Sequence, residues 1–186
     1  MIFKEDFFNK NGKELAKDLI GQKLVRELPV NNSDPLIVEA VITRVDIYNG
    51  LPKGQLYGFN KDLLKPGMLF LPHVARGYLF AINAEANEKL STIVIRGLEL
   101  ENPSALIEYL STTQADVNEN NDSLVQKMKT SSTFISKFLH VHKDLNGLNI
   151  GTNDFLYVKE NVDNRTGRFQ KIIGSGNYIG NYRIGF

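Results

Sequence analysis

The sequence contains no cysteine and no tryptophan, and it has only three histidines in 186 residues. Without cysteine the chain can form neither a disulfide nor a thiolate metal site. The histidines His73, His140 and His142 do not form an HExxH motif or any similar ligand cluster. We therefore expect no metal and no other cofactor.

Long apolar runs are also missing. The first eight residues carry Lys4, Glu5 and Asp6 among apolar side chains, unlike the basic start and long apolar centre of a signal peptide. No run approaches the roughly 20 apolar residues that a bilayer span requires. We expect a protein that does not enter a membrane and is cytoplasmic.

Charge of one sign is not in large excess, because 22 basic residues face 21 acidic ones. Proteins that bind nucleic acid over their whole surface usually have more excess base, so binding here would require segregated charge. The best basic segment, residues 165–171, contains Arg165, Arg168 and Lys171. It either contacts DNA phosphates or forms a solvated strand and hairpin.

What is present is the composition of a globular protein, with 42% hydrophobic and 23% charged residues. Apolar spacing predicts helices over residues 11–20, 102–110 and 131–139, and strands over residues 24–28, 36–45, 68–71, 77–81, 90–98 and 154–159. Residues 49–67, 112–122 and 174–182 are expected to be loops, the last leading into a short terminal strand. With no repeat and no linker, residues 1–186 are predicted to form a single α+β domain.

Several short motifs occur in a characteristic order. They are LIGQKLVR (19–26), IVE (37–39), KPGML (65–69), RGYLFAIN (76–83), IVIRGLE (93–99) and LNGLNI followed by FLYV (145–150 and 155–158). In order and spacing they resemble the alkyladenine (3-methyladenine) DNA glycosylase family over roughly residues 13–186. The resemblance implies a curved antiparallel β-sheet with flanking helices, a fold class that includes the formyltransferase C-terminal domains.

The resemblance also implies an activity, which is the hydrolysis of damaged purines from double-stranded DNA during base excision repair. Such enzymes flip the damaged base out of the stack and hold it in an aromatic-lined pocket. A carboxylate activates water for attack at C1′ and stabilises the oxocarbenium-like transition state. We expect a monomer acting on double-stranded DNA.

The family's site residues correspond only partly to this sequence. Val41 stands where the family has its catalytic glutamate, and Thr43 where it has a stacking tyrosine. By the same correspondence Asn83 contributes to base discrimination in the pocket, and Arg96 positions the nucleophilic water. Residues assigned to DNA contact near the intercalating position are Arg76, which replaces the family's tyrosine, His73 and Tyr78.

Two other acids are candidates for the missing base. Glu39 has the same strand parity as Val41 and would project from the same face, whereas Asp46 would reach that face only through a β-bulge. Structural roles compete with both assignments, since Glu39 could pair with Arg96 and Asp46 could cap a turn. Arg96 itself is either half of such an ion pair or a ligand for water or phosphate.

Three functions remain open at this point. The first is an active glycosylase with divergent catalytic groups. The second is a catalytically inactive relative that binds damaged or structured DNA, or RNA, without cleaving it. The third is a module of the same fold class that binds RNA or protein.

Overall fold

The computed structural model describes residues 1–31, 33–50, 65–84, 91–113, 121–163, 166–170 and 178–184. In chain order the elements are α1 (Glu5–Phe8), α2 (Gly12–Leu19), β1 (Lys23–Leu28), β2 (Leu36–Asn49), β3 (Leu69–Phe70), β4 (His73–Val74), β5 (Gly77–Tyr78), β6 (Ala81–Asn83), β7 (Ser91–Leu100), α3 (Pro103–Thr113), α4 (Asn121–Thr130), α5 (Ser132–Phe138), β8 (Leu156–Lys159), β9 (Gly167–Gln170) and β10 (Tyr178–Ile184). The architecture is α+β, with a curled antiparallel half-barrel sheet and a few helices.

The sheet is organised around β2, its longest strand. One side of β2 pairs with β7, and the order continues through β6 to β3. The other side pairs first with β1, which leads to β8, and then with β10, which leads to β9. Strands β4 and β5 form a separate hairpin. The Ile95 N–H donates to the Phe80 carbonyl oxygen at 2.8 Å, so the chain that follows the hairpin rejoins the sheet beside β7.

An irregularity in the β2–β7 pairing decides which side chains face the core. The register shifts on both sides of Arg44, which lies opposite Gly97. Core residues of β2 are therefore Ile42 and then Val45, three positions on, and those of β7 are Ile95 and then Leu98. Because side chains alternate strictly in a regular strand, a spacing of three shows that both strands contain an extra residue here.

The main core lies between one face of the sheet and the helices. Helix α2 begins at Gly12, and the Asn11 side chain caps it by accepting the Glu14 N–H. Its Leu15 and Leu19 are fully buried, and each such side chain contributes about 2 kcal/mol of burial. A smaller cluster of Phe70, Leu79, Ala81 and Val94 is separate from this core. None of the helices in the described parts of the chain is long and apolar enough to span a membrane.

The structure differs from the predicted secondary structure in three places. The expected strand over residues 77–81 is divided, because Gly77–Tyr78 belongs to the hairpin and Ala81–Asn83 to the sheet. Helix α4 was not predicted, since it buries only Leu124 and Met128 and its hydrophobic period is weak. Residues 178–182 belong to β10 rather than to a loop. Of the three expected loops, residues 51–64, 114–120 and 174–177 lie outside the described part of the chain.

Candidate functional site

The sheet face opposite the main core carries a group of polar side chains, which we call the polar face. Residues directly opposite one another on antiparallel strands project from the same face, so the register assigns its rows. The first row is Arg44, Arg183 and Arg168, the second is Val94, Asp46, Asn181 and Gln170, and the third is Asn83, Thr92, Tyr48 and Tyr178. Arg96 joins this face because it lies two residues beyond Val94 on β7.

Asp46 is the centre of the polar face and is only 3% exposed. Its Oδ2 accepts a hydrogen bond from Arg96 Nε at 2.6 Å, and its Oδ1 lies 3.8 Å from Arg44 Nη2. The Tyr178 hydroxyl donates to the same Oδ1 over 3.5 Å. A buried carboxylate is tolerated when charged donors surround it. These contacts therefore explain how Asp46 can be buried in the middle of β2.

The electrostatics of Arg96 reflect two opposing effects. Burial acts to lower the pKa of its guanidinium, but the hydrogen bond and charge of Asp46 outweigh burial, and the pKa is raised. Burial and then the negative charge of Asp46 raise the pKa of the neighbouring Tyr48 hydroxyl. At neutral pH the site therefore contains a paired guanidinium and uncharged tyrosines.

Two tyrosines lie beside the ion pair. The ring centroids of Tyr48 and Tyr178 are 5.3 Å apart, with the rings tilted by 56°. Asn181 Nδ2 donates to the Tyr178 hydroxyl at 3.1 Å, and Arg183 Nε donates to Asn181 Oδ1 at 3.3 Å. This chain of hydrogen bonds connects Arg183, at the first row, to the Asp46 carboxylate.

Asn83 and Thr92 occupy the far end of the third row. Asn83 is fully buried, and its Nδ2 donates to the Lys65 carbonyl at 3.0 Å. Asn83 Oδ1 and Thr92 Oγ1 are buried and have no hydrogen-bond partner within the part of the chain that the structure describes. Such atoms carry a desolvation cost that a ligand with a matching donor would relieve.

Glu39, the other candidate base, lies in a different environment. Its carboxylate binds the ammonium groups of Lys159 and Lys23, and Lys23 also pairs with Glu101 at 2.6 Å. The hydrogen bond from Lys159 is the main cause that lowers the pKa of Glu39, despite partial burial. Glu39 is seven residues before Asp46 on β2, which corresponds to roughly 20 Å along a strand. The partner of Arg96 is thus Asp46, and not Glu39 as considered from the sequence.

Val41 and Thr43 lie between these two acids. Val41 is 6% exposed and stands opposite Lys23 and Glu99. Thr43 lies in the irregular stretch, where its Oγ1 is close to the backbone of Gly97. Among the described residues, no hydrogen bond or ion pair joins Val41 or Thr43 to Asp46.

The hairpin β4–β5 carries the residues expected at the intercalating position. Arg76 is exposed at its turn, and the rings of His73 and Tyr78 contact each other across it, with centroids 5.1 Å apart. A cavity of about 250 Å³ lies between the hairpin and α5, lined in part by Arg76, Tyr78 and His140. The hairpin therefore presents a cationic side chain at its tip.

The basic terminal segment is described only in part. Arg168 is exposed on β9, opposite Arg183, whereas Arg165 and Lys171 lie outside the described residues. The sequence motifs missed Arg44, Tyr48, Tyr178, Asn181 and Arg183. Arg44 and Tyr48 could have been found from the sequence, because Arg44, Asp46 and Tyr48 alternate along β2. Tyr178, Asn181 and Arg183 could not, because the composition around them is typical of a loop.

The described residues contain no group of three or more His, Asp or Glu side chains that could hold a metal ion. Compared with known proteins, the chain matches no protein-family model and no curated protein sequence.

Proposed function

We propose that this protein binds double-stranded DNA and hydrolyses the N-glycosidic bond of damaged purines, as the alkyladenine DNA glycosylases do, with Asp46 as its carboxylate. The observation that carries the proposal is the hydrogen bond of 2.6 Å between Arg96 Nε and Asp46 Oδ2. The motif comparison left Arg96 without a catalytic acid, because Val41 replaces the glutamate. Asp46 supplies an acid beside the same arginine.

The reaction requires one carboxylate, which acts as a base, and one water molecule. Water attacks C1′ of the deoxyribose, the bond from C1′ to the purine nitrogen breaks, and the base leaves with the electron pair. Asp46 accepts the proton of the attacking water and stabilises the positive charge that develops on the sugar. Arg96 orients the carboxylate through the hydrogen bond from its Nε.

Other parts of the polar face support a base-binding role. Tyr48 and Tyr178 are aromatic neighbours of the carboxylate, and aromatic surfaces bind flipped bases by stacking. Asn83 Oδ1 and Thr92 Oγ1, which have no partner within the described chain, suit hydrogen bonds to a purine edge. Arg76 at the hairpin turn suits a contact with the DNA backbone or with the gap left by the flipped base.

A second candidate is an inactive relative that binds damaged or structured DNA, or RNA, without cleaving it. It is favoured by the low exposure of Asp46, 3%, and by the engagement of both its oxygens with Arg96, Arg44 and Tyr178. A carboxylate held in this way resembles a structural ion pair. The two candidates differ in one measurable property, which is base release.

The test is single-turnover release of hypoxanthine, 1,N6-ethenoadenine or 3-methyladenine from a duplex oligonucleotide. We expect release by the wild type, and a rate lower by roughly two to four orders of magnitude for Asp46→Asn. Arg96→Ala should also slow release, because the carboxylate loses its orienting partner. Glu39→Gln is the matched control, since it removes a carboxylate from the same strand and should leave the rate unchanged.

The outcome assigns one of the two candidates. If the wild type binds the duplex but releases no base above the spontaneous rate, the hydrolase proposal fails and the inactive relative is favoured. If release depends on Glu39 and not on Asp46, the base has been assigned to the wrong acid.

A further inference from the structure

We infer that Arg44, Arg183 and Arg168 form a track for the phosphodiester backbone of the DNA strand that carries the target nucleotide. We call these residues the arginine row. The inference rests on the proposed function, because it assumes DNA as the ligand of the polar face. It adds the surface along which that DNA runs and the direction in which it leaves Asp46.

The register is the first argument. Arg183 is directly opposite Arg44 on β2 and directly opposite Arg168 on β9. Adjacent strands are separated by about 4.8 Å, so the row extends over roughly 10 Å from β2 to β9. Like charges placed directly opposite one another destabilise a sheet. An anion bound along the row would relieve that repulsion.

The charge balance of the polar face is the second argument. The three rows and Arg96 together include four arginines, Arg44, Arg96, Arg168 and Arg183, and one acid, Asp46, whereas Glu39 and Glu99 lie farther along the same sheet face. Asp46 makes its shortest contact with Arg96 and lies farther, at 3.8 Å, from Arg44. Positive charge is therefore in excess in these rows, although the whole chain has a net charge of only +1. This is the segregation of charge that a nearly neutral protein requires to bind a polyanion.

The chemistry of the row favours phosphate. Guanidinium groups match phosphate oxygens with paired donors, which an ammonium group cannot do. Arg44 Nε is buried and has no hydrogen-bond partner in the described parts of the chain, whereas Arg168 at the other end is exposed on the edge strand β9. Exposure of the arginine row thus increases from Arg44, beside the carboxylate, to Arg168 at the sheet edge. This gradient is expected where a DNA strand approaches the site from solvent.

The length of the row favours a polymer over a small anion. One phosphate group can contact two neighbouring guanidinium groups. The arginine row extends over roughly 10 Å with one arginine on each of three adjacent β-strands, so it suits successive phosphates of one DNA strand. The aromatic third row, with Tyr48 and Tyr178, lies on the same face and can contact bases of that strand.

The experiment measures binding to a short undamaged duplex as a function of salt. The variants are Arg168→Gln, Arg183→Gln and the two combined, with Arg168→Lys and Arg183→Lys as charge-retaining versions. Lys4→Gln is the matched control, because it removes an exposed positive charge beside β8 that is not part of the arginine row. Arg44 is left unchanged because it contacts Asp46. Thermal unfolding checks that each variant is folded.

We expect the slope of log affinity against log salt to become shallower by about 0.9 for each glutamine substitution, and the affinity at 0.15 M salt to fall roughly fivefold. The lysine variants should restore most of the slope, and Lys4→Gln should leave it unchanged. If the wild type binds the duplex and the glutamine variants show an unchanged slope, the arginine row is overturned while the proposed function stands. If the wild type does not bind duplex DNA, both are overturned.

Discussion

The Asp46 carboxylate and the Arg96 guanidinium meet on the polar face, beside a level of the sheet at which β2 and β7 each contain one extra residue. Core residues are separated by three positions there, Ile42 to Val45 and Ile95 to Leu98, and the register shifts between them. Without the extra residues, strict alternation would turn the carboxylate and the guanidinium into the apolar core. The irregularity therefore keeps both side chains on the polar face, and β-bulges are often found beside functional sites.

The first prediction concerns the energetic coupling of this pair. Asp46→Asn, Arg96→Gln and the double variant form a double-mutant cycle, measured by chemical denaturation. We expect a coupling of about 2 kcal/mol, because Asp46 is almost completely buried and each single change leaves a charged partner with weaker contacts.

The control is the same cycle on Lys10 and Asp18. Their atoms are also 2.6 Å apart, but both side chains are about one third exposed. Exposed pairs contribute about 0–1 kcal/mol. Equal couplings in the two cycles would show that burial of Asp46 does not strengthen its interaction.

The sequence predicted the strands that bear the site better than it predicted the site. Runs rich in Val and Ile identify β2 and β7, and a bulge that turns Asp46 inward was considered for β2. What local sequence does not contain is the pairing of β2 with β7, which places Asp46 opposite Val94 and so beside Arg96, two residues farther along β7. The position of Arg96 relative to Asp46 depends on pairing between strands that are distant in sequence. The only local sign of the irregularity is a spacing of three between apolar residues, which is too short a pattern to predict it.

Strand β10 is a second element that local sequence did not predict. Its composition of Gly, Asn and Tyr is typical of a loop, yet its backbone pairs with β2 and β9. Hydrogen bonds to distant strands outweigh weak local strand propensity. Asn181 and Arg183 were therefore missed, whereas Arg168 was identified from local charge alone.

The second prediction concerns Val41. Restoring the family's acid with Val41→Glu is not expected to raise base release, because Val41 lies five residues from Asp46, roughly 15 Å along the strand. The substitution should also lower the free energy of unfolding, since it places a carboxylate at a site only 6% exposed. Single-turnover release and denaturation measure the two effects. Faster release in Val41→Glu would contradict the assignment of Asp46.

The third prediction concerns the pH dependence of stability. The pKa of Glu39 is lowered, first by the hydrogen bond from Lys159, relative to its ordinary value of 4.5. A depressed carboxyl pKa stabilises the folded state fully above the unfolded value, and this contribution is lost as pH falls through the folded pKa. Glu39→Gln should therefore cost about 1 kcal/mol at pH 7, and the difference from wild type should shrink below about pH 4.5.

Denaturation of wild type and Glu39→Gln over this pH range tests the third prediction. Glu108→Gln is the control, because Glu108 is exposed on α3 and its loss should change stability little at any pH. A Glu39→Gln effect that stayed constant from pH 7 into the acid range would mean that the ion pairs with Lys159 and Lys23 do not contribute.

The fourth prediction concerns Gly97, which forms part of the irregularity. A Cβ at this position would lie 2.5 Å from the Lys129 carbonyl oxygen at the end of α4 and 2.8 Å from Thr43 Oγ1. Such contacts force the backbone to move, so Gly97→Ala should lower the free energy of unfolding by about 2 kcal/mol. Thr43→Ala combined with Gly97→Ala should recover little, because the closer atom belongs to the α4 backbone. Full recovery in the double variant would show that α4 moves away easily, and that its approach to β7 does not maintain the irregularity that orients Asp46 and Arg96.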